Sequence, residues 1–464
     1  MFWLSLLTPL AHAQATFTNG SPKWLPYGLS GTAARWIDLD GDGLPELEDY
    51  GYVYHNSGTD LTPMAYVGNT GFGGWADVDN DGDIDHIAHY DDVRVYLNDG
   101  FGNFTADDAN MVNLYIVSSR GVSLGDFDGD GWIDAYYTGY EGAGYEPDAI
   151  VFNEGGYFTT RTGIESGFNR PGRGVTSCDF DEDGDLDIYV SNYRLERNAL
   201  WINNGSGSFA DRAENHQVDG TYNGWGYSYG HTIGSAWGDL DNDGYIDLFV
   251  GNFSHIQPYQ DRPKFYRNMG PDNNWRFADL SGFVRMAWQE SFASPALADY
   301  DNDGDLDLYF TTVYGGDYPV LMRNDGNWVF TDVTDSEGLG GISATYQAAW
   351  ADVDNDGDLD LATGAQLYIN QTSGNSWLKL VLVGDGVAVN YSAIGAQARI
   401  TTTDHGTQTR QVESGTGEGN ANDQTLHFGF GSFADTVEIE VFWPDGSLTT
   451  HGPYDLNQTV EITY

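Results

Sequence analysis

Aspartates at fixed spacing are the chemically most distinctive feature of this chain. Residues 350–364 read WADVDNDGDLDLATG and place five carboxylates, from Asp352 to Asp360, at alternate positions. No Lys or Arg lies among them, so these carboxylates repel one another unless a cation binds between them. A hard cation such as Ca²⁺ takes about six to eight oxygen ligands, which closely spaced aspartates can supply. The stretch therefore predicts a calcium-binding loop.

The same pattern, D-x-D-x-D-G-x-x-D, occurs seven times, with Glu46 as the closing acid of the first copy. The side chains at positions one, three, five and nine are predicted ligands, and position seven is predicted to add its backbone carbonyl. The glycine at position six permits a sharp turn. The predicted calcium-binding residues are Asp38, Asp40, Asp42, Leu44, Glu46, Asp77, Asp79, Asp81, Asp83, Asp85, Asp126, Asp128, Asp130, Trp132, Asp134, Asp179, Asp181, Asp183, Asp185, Asp187, Asp239, Asp241, Asp243, Tyr245, Asp247, Asp299, Asp301, Asp303, Asp305, Asp307, Asp352, Asp354, Asp356, Asp358 and Asp360.

Two other interpretations of the motif are less consistent with its spacing. An EF-hand closes with an acid at position twelve and is flanked by helices, whereas this motif closes at position nine between apolar runs typical of strands. Asp-rich turns capped by their own side chains would not require the same residue at positions five and six of every copy. Up to seven Ca²⁺ ions are therefore the predicted cofactors.

The elements that position the loops are short strands in a repeat. The copies start 39 to 60 residues apart, and each has a small or apolar run before it and an apolar run after it. A later apolar segment usually ends in Asn, as in VYLN and LYIN, and a fourth short strand often follows. A period of this length with four strands per unit predicts a seven-bladed β-propeller over residues 14–372. Residues 376–464 contain no Asp loop and predict a separate small β-sandwich or barrel.

Composition supports a folded, exported, acidic protein. The 464 residues include 14 Trp, 30 Tyr and 23 Phe, and the formal net charge is −51. This charge argues against a nucleic-acid or anionic-membrane partner, and part of it is also consistent with a halophilic or marine surface. Cys178 is the only cysteine, so an internal disulfide cannot form. Residues 1–13, which end in Ala-His-Ala, predict a signal peptide, although a basic start is missing; an apolar first strand is the alternative. No other segment approaches the length of a membrane span.

A ligand-binding face is predicted opposite the Asp loops. If each loop joins the first and second strands of its blade, the remaining connections lie at the other end, and these are long and rich in aromatic and basic residues. Such residues suit a glycan or protein partner, but they would equally pack the connections together and neutralise nearby acids. The predicted ligand-face residues are Arg173, Tyr193, Arg194, His231, His255, Tyr259, Arg262 and Tyr314.

No motif establishes catalysis. Residues 121–125 read GVSLG, but a predicted Asp loop follows at once, so Ser123 is predicted to lie on an innermost strand and not at a nucleophile elbow. His231 and His255 are possible acid–base groups on the ligand face.

The repeats resemble FG-GAP/VCBS repeats, the units of the integrin α propeller. Residues 384–400, 410–431 and 437–446, which include RQVESGTGEGNANDQTLHFGFG, resemble the ASPIC/UnbV domain. Together they resemble the cartilage acidic protein family, which implies a secreted, calcium-loaded propeller with adhesion or matrix roles. The first copy departs from the pattern at Pro45 and Glu46, which implies a weaker site there. The resemblance supplies no catalytic residues.

Three functions remain open on the sequence alone. The first is a secreted or surface-associated calcium-binding propeller that binds an extracellular glycan or protein. The second is a lyase or other sugar- or small-molecule-modifying enzyme on the face opposite the calcium loops. The third is a structural acidic matrix protein.

Overall fold

The computed structural model describes most of the chain. The described residues are 17–25, 28–67, 73–89, 93–112, 114, 119–140, 147–160, 170–221, 229–254, 261–416 and 418–464. The predicted signal peptide, residues 1–13, lies outside them.

Seven four-stranded antiparallel sheets, here called blades 1 to 7, contain most of the strands. An N-terminal strand β1 (Thr18–Asn19) and a helix α1 (Ser21–Trp24) precede them. Blade 1 contains β2 (Arg35–Ile37), β3 (Glu46–Asp49), β4 (Tyr52–Asn56) and β5 (Leu61–Tyr66). Blade 2 contains β6 (Gly74–Ala76), β7 (Asp85–His89), β8 (Val93–Leu97) and β9 (Thr105–Ala106), and blade 3 contains β10 (Val122–Gly125), β11 (Asp134–Tyr137), β12 (Ala149–Asn153) and β13 (Phe158–Thr160). Blade 4 contains β14 (Gly172–Cys178), β15 (Asp187–Asn192), β16 (Ala199–Ile202) and β17 (Ala210–Asp211).

The remaining blades follow the same order. Blade 5 contains β18 (Thr232–Gly238), β19 (Asp247–Asn252), β20 (Lys264–Asn268) and β21 (Phe277–Asp279). Blade 6 contains β22 (Pro295–Ala298), β23 (Asp307–Phe310), β24 (Val320–Asn324) and β25 (Phe330–Asp332). Blade 7 contains β26 (Ala348–Ala351), β27 (Asp360–Thr363), β28 (Gln366–Ile369) and, as its outer strand, β1. Short helices α2 (Ala213–His216) and α3 (Ser281–Val284) and 3₁₀ turns at Asp108–Asn110 and Pro271–Asn273 lie between strands.

The first strand of each blade is the innermost one. The first strands of neighbouring blades contact each other, as β14 does with β18 and β22 does with β26. Small residues allow this approach: β22 reads PALA and β26 reads AAWA, and every residue of both strands is buried. At Gly238 an added Cβ would lie 2.7 Å from a methyl group of Leu306 in the next blade. Ser123 lies on β10, an innermost strand, as predicted.

One asparagine per blade links neighbouring blades into a ring. It stands at the end of the third strand, and its side-chain Nδ2 donates to a backbone carbonyl in the Asp loop of the preceding blade. Asn56 of blade 1 donates to the Val353 carbonyl of blade 7 at 2.9 Å, which closes the ring. The other six links run from Asn98 to Leu39, Asn153 to Val78, Asn203 to Phe127, Asn268 to Phe180, Asn324 to Leu240 and Asn370 to Tyr300, at 2.7–3.2 Å.

The prediction of an all-β chain with repeated four-stranded sheets is confirmed. Pairing of β1 with β28 places a strand from the N-terminal end of the described chain in the same blade as the last repeat. We interpret the seven sheets as the blades of one propeller.

The C-terminal segment, residues 376–464, forms two further sheets. Its strands are β29 (Trp377–Val383), β30 (Gln397–Thr402), β31 (Gly406–Gln411), β32 (Leu426–Gly429), β33 (Val437–Phe442), β34 (Leu448–Tyr454) and β35 (Gln458–Thr463). One sheet has the order β32-β29-β35 and the other β31-β30-β33-β34. The predicted boundaries, 14–372 and 376–464, stay predictions.

The C-terminal segment lies against the propeller, a contact that the sequence did not predict. Between β31 and β32 it contacts the innermost strands and the residue before β2: Asn420 Oδ1 accepts hydrogen bonds from the backbone N–H groups of Ala34 and Ala348 at 3.0 and 3.3 Å. Ser414 and Asn422 accept from Leu124 and Trp350 in the same way. This insertion satisfies backbone groups of blades 1, 3 and 7. No helix within the described ranges is both long and apolar enough to span a membrane.

Candidate calcium centres and the opposite face

Each Asp loop connects the first and second strands of its blade, as predicted. In blade 7 the loop leaves β26 after Ala351 and enters β27 at Asp360, and the other six loops occupy the same place. The closing acid is therefore the first residue of a buried strand. The flanking strands also confirm that the loop is not an EF-hand.

The loop backbone is wrapped around its first aspartate. In all seven copies the N–H of the glycine at position six donates to a carboxylate oxygen of that aspartate at 2.8–3.1 Å. These glycines have φ between 85° and 101°, a region that other residues rarely adopt. The N–H at position seven donates to the aspartate at position five at 2.9–3.3 Å. Several carboxylates are thereby held within one small turn.

The closing acids are buried and connect the loop to its own blade. In blade 7, Asp360 accepts from the N–H groups of Val353 at 3.0 Å and Asn370 at 2.7 Å. All seven closing acids have exposures of 0–1%: Glu46, Asp85, Asp134, Asp187, Asp247, Asp307 and Asp360. Burial of a carboxylate is costly without a compensating charge, and no Lys or Arg occurs within any of the seven loops.

The aspartate at position three of the loop has a carboxylate oxygen without a hydrogen-bond partner. Its Oδ1 atom is buried and accepts no hydrogen bond in six loops, at Asp40, Asp79, Asp181, Asp241, Asp301 and Asp354. A buried carboxylate oxygen without a partner is destabilising by about 1–3 kcal/mol or more. The same atom is therefore left without a hydrogen-bond partner at the same position of six loops, where a cation could bind it.

Burial and mutual repulsion raise the pKa values of the loop acids. Burial, with nearby Asp79 and Asp77, raises the pKa of Asp85 to about 8. Burial and the charge of Asp356 raise the pKa of Asp358 to about 8. The pKa values of Asp187 and Asp360 are raised well above their usual range by burial first. A divalent cation supplies the opposite charge that would allow these groups to ionise at neutral pH.

In at least four of the loops, carboxylate oxygen atoms lie close enough to one another to share one ion. In several loops three carboxylates have oxygen atoms that all lie within 4.8 Å of one another: Asp38, Asp40 and Asp42; Asp77, Asp79 and Asp85; Asp126, Asp128 and Asp134; and Asp179, Asp181 and Asp183. All of these donors are hard oxygens, the ligands that Ca²⁺ prefers. The donor set therefore fits calcium. The carbonyls of Leu44, Trp132 and Tyr245 stay predicted ligands.

Three side chains near the loops were not predicted from the sequence. His55 Nδ1 lies 3.1 Å from Glu46 Oε1 in blade 1. In blade 5, Arg267 Nε lies 2.6 Å from Asp241 Oδ2. His55 and Arg267 both stand one residue before the linking asparagine, so aligning the repeats on that residue would have drawn attention to this position.

The third is Lys379 of the C-terminal segment, whose Nζ lies 2.6 Å from Asp352 Oδ2 in blade 7. Two backbone N–H groups of the same segment bind first aspartates in the same way: Thr409 donates to Asp239 at 3.2 Å and Gly429 donates to Asp299 at 3.0 Å. The C-terminal segment therefore contacts the Asp loops of blades 5, 6 and 7 directly.

On the opposite side, the structure brings four of the predicted ligand-face residues together. The Arg173 guanidinium lies 4.7 Å from the centre of the Tyr193 ring, and the Tyr193 ring lies 4.6 Å from the His231 ring. Tyr314 packs on Phe253 with ring centres 5.1 Å apart, and Phe253 also contacts Tyr193. These residues form a mixed aromatic and basic cluster.

An acid from the C-terminal segment reaches this cluster. Glu418 is 3% exposed, and its Oε1 lies 3.3 Å from Arg173 and 3.9 Å from Arg120. Arg120 and Arg173 both stack on the Tyr140 ring, at 5.0 and 4.9 Å. Part of the basic charge is thus neutralised within the protein.

The other predicted ligand-face residues are placed differently. Arg262 is exposed and lines a cleft of about 600 Å³ together with Lys264, Arg285 and Trp288. Lys264 is held by Asp261 at 3.1 Å and Asp279 at 2.9 Å. Arg194 is exposed in the turn after β15. His255 and Tyr259 lie outside the described residues.

Sequence profiles of two families match the chain. The FG-GAP-like repeat profile matches residues 126–190, 179–250, 239–310 and 299–363, which together cover more than half of the chain. The ASPIC and UnbV profile matches residues 386–464.

The chain is also similar to two named animal proteins. Cartilage acidic protein 1 of Mus musculus is 24% identical over 456 residues, which cover 92% of this chain and 64% of the relative. Its Homo sapiens counterpart is 24% identical over 456 residues, covering 92% of this chain and 62% of the relative. The chain thus spans less than two thirds of the length of these relatives.

Among solved structures, the extracellular domain of the putative hybrid two-component system BT4673 from B. thetaiotaomicron matches with a TM-score of 0.44 and 9% identity. The match covers 97% of this chain and 60% of that chain.

Proposed function

Because the chain belongs to the FG-GAP-repeat proteins and ends in an ASPIC and UnbV region, we propose that it is an extracellular calcium-binding propeller that binds a glycan or protein partner. The observation that carries the calcium part is the buried, unpartnered Oδ1 at position three of six loops. In each loop the acids at positions one, three, five and nine would hold the ion. Calcium would neutralise their repulsion and brace the turn between the first and second strands.

An extracellular location agrees with this chemistry. Calcium loops of this kind are suited to the high free calcium outside cells. The predicted signal peptide is compatible with export. The relatives named cartilage acidic protein 1 support the same location.

The binding part of the proposal concerns the side opposite the Asp loops. The C-terminal segment contacts the loops of blades 5 to 7, whereas the cleft beside Arg262 opens among connections at the other end of blade 5. Trp288 in this cleft is 50% exposed, and Arg262 and Arg285 are also exposed. An exposed indole beside guanidinium groups suits a sugar ring or an acidic group of a partner.

The lyase and matrix alternatives receive less support from the geometry. Among the described residues, the His231 ring packs at a tilt against the Tyr193 ring within the cluster described above. The second histidine that the sequence singled out, His255, lies outside the described residues. A purely structural role does not explain the concave cleft and its exposed Trp288.

A single substitution tests calcium binding at one loop. Asp354→Asn keeps the side-chain size but removes the charge of the orphaned oxygen, so we expect the protein to bind one Ca²⁺ fewer, or to bind that ion at least about 10-fold more weakly. Native mass spectrometry and calorimetric titration would measure this. Asp335→Asn, at an exposed aspartate outside the loops, makes the same charge change and should leave the stoichiometry unaltered. Equal calcium binding by both variants would contradict the assignment.

A glycan array in calcium-containing buffer tests the binding face. We expect Trp288→Ala to weaken the binding of each glycan that the wild-type protein retains by about 10-fold or more. Stacking on an indole is worth about 1–2 kcal/mol, which that substitution removes. Tyr157→Ala is the matched control, because Tyr157 is 66% exposed but lies in the β12–β13 turn, at the loop end of blade 3. If Trp288→Ala binds the same glycans with unchanged affinity, the glycan-binding site does not lie in this cleft.

A further inference from the structure

The metal loop of blade 1 differs from the other six by a nitrogen donor. His55 Nδ1 lies 3.1 Å from Glu46 Oε1 and 3.5 Å from Asp40 Oδ2. One ligand atom from each of these three residues lies within 4.8 Å of the others. The Oδ1 atom of Asp40 is buried and accepts no hydrogen bond, so an ordinary His–Glu hydrogen bond leaves this side of the site unexplained.

The separations match those of ligands on a small metal ion. Two ligands bound at about 2.0–2.2 Å and at about 90–110° to each other are about 2.8–3.6 Å apart. The distances from His55 Nδ1 to Glu46 and to Asp40 both fall in this range. Glu46 is fully buried, whereas the His55 side chain is 37% exposed, so solvent can reach the imidazole side of the site.

The corresponding position in the other blades carries no metal-binding side chain. The residue before the linking asparagine is Leu97, Phe152, Ile202, Arg267, Arg323 or Ile369 in blades 2 to 7. Blade 1 is also the one that closes its loop with Glu, whose longer side chain extends further than that of Asp. His55 and Glu46 are thus two differences from the other loops, and both favour a different set of metal ligands in blade 1.

We propose that the blade 1 loop is a mixed nitrogen–oxygen site that binds a divalent first-row transition metal, such as Zn²⁺ or Co²⁺, in preference to Ca²⁺. Imidazole nitrogen suits these ions, whereas Ca²⁺ prefers a shell of oxygens. His55 Nδ1, Glu46 and Asp40 are the proposed ligands. This inference rests on the proposal that the Asp loops bind metals, and it assigns one of them a different metal.

Co²⁺ titration into calcium-saturated protein tests the proposal, because Co²⁺ with a nitrogen ligand has a visible absorption that Ca²⁺ lacks. We expect one equivalent to bind and Zn²⁺ to displace it. His55→Ala should weaken that binding by about 100-fold while the calcium bound by the other loops is unchanged. His55→Gln, which keeps a hydrogen-bond donor near Glu46, should behave like His55→Ala. His451→Ala, at a histidine on β34, should match the wild type.

The outcomes separate this inference from the calcium proposal. If Ca²⁺ at millimolar concentration competes away the Co²⁺, or if His55→Ala binds Co²⁺ as the wild type does, the blade 1 assignment is wrong even though the other loops bind calcium. If one Co²⁺ binds through His55 but no calcium binds elsewhere, the calcium proposal fails and this inference stands.

Discussion

Removal of calcium with EDTA is expected to lower the melting temperature of the protein by more than about 10 °C. At free calcium 100 times the Kd, each occupied loop adds about 2.7 kcal/mol to the free energy of unfolding, and about 1 kcal/mol corresponds to about 2 °C in a large domain. The loss should be large because the closing acids are buried at exposures of 0–1% and keep their mutual repulsion once the ions leave. Differential scanning calorimetry measures the change.

The C-terminal segment should respond to the same treatment. Lys379, Thr409 and Gly429 bind the first aspartates of the blade 7, 5 and 6 loops, so loosening these loops also loosens the contact with β29 to β32. Added Ca²⁺ should restore the melting temperature, whereas Mg²⁺ should not, because Mg²⁺ demands a smaller octahedral shell and keeps its waters. A melting temperature that EDTA leaves unmoved would contradict calcium binding by the loops.

The conformation of the Asp loops was predictable because it depends on local chemistry. Alternate aspartates, a glycine at position six and apolar flanks determine a tight turn between strands without reference to the rest of the fold. The φ of 93° at Gly357 and the hydrogen bond from its N–H to Asp352 follow from that spacing alone. The repeat of the motif then predicted the four-stranded sheets, because each copy must be positioned in the same way.

Contacts between distant parts of the chain were not predictable in this way. Asn420 binds the backbone N–H groups of Ala34, just before the first strand of blade 1, and of Ala348 in the first strand of blade 7, yet its sequence neighbourhood reads only as a polar, glycine-rich turn. The pairing of Arg173 with Glu418 joins residues that lie far apart in the sequence. Such contacts depend on how the C-terminal segment packs on the propeller, which a single sequence does not encode as a pattern.

The role of the linking asparagines was only partly predictable from the sequence. The sequence shows that an Asn ends the third strand of each repeat, but its periodicity does not show what the side chain binds. In the structure, Asn324 Nδ2 donates to the Leu240 carbonyl at 2.9 Å and to the Leu306 carbonyl at 3.1 Å. Its Oδ1 accepts from the N–H of Gly326 at 3.1 Å. One side chain therefore satisfies three backbone groups in two blades.

Asn324→Ala is expected to lower the free energy of unfolding by about 2–6 kcal/mol, because it leaves the buried carbonyls of Leu240 and Leu306 without this partner and each buried unsatisfied group costs about 1–3 kcal/mol. Urea denaturation in calcium-saturated buffer measures this effect separately from metal loss. Asn273→Ala is the matched control: its Nδ2 donates to one backbone carbonyl, that of Met269 at 3.0 Å, at an exposed site. The control should cost less than about 1 kcal/mol.

A second variant separates hydrogen bonding from packing. Asn324→Asp keeps the side-chain volume but directs a carboxylate oxygen towards the carbonyls of Leu240 and Leu306, so it should destabilise the protein at least as much as Asn324→Ala. If Asn324→Asp were close to the wild type, volume and not the link between blades would be what Asn324 contributes. If both variants lower the free energy of unfolding by the predicted amount, equivalent losses are expected for substitutions of Asn56. Its bond to Val353 joins blade 1 to blade 7 and closes the ring.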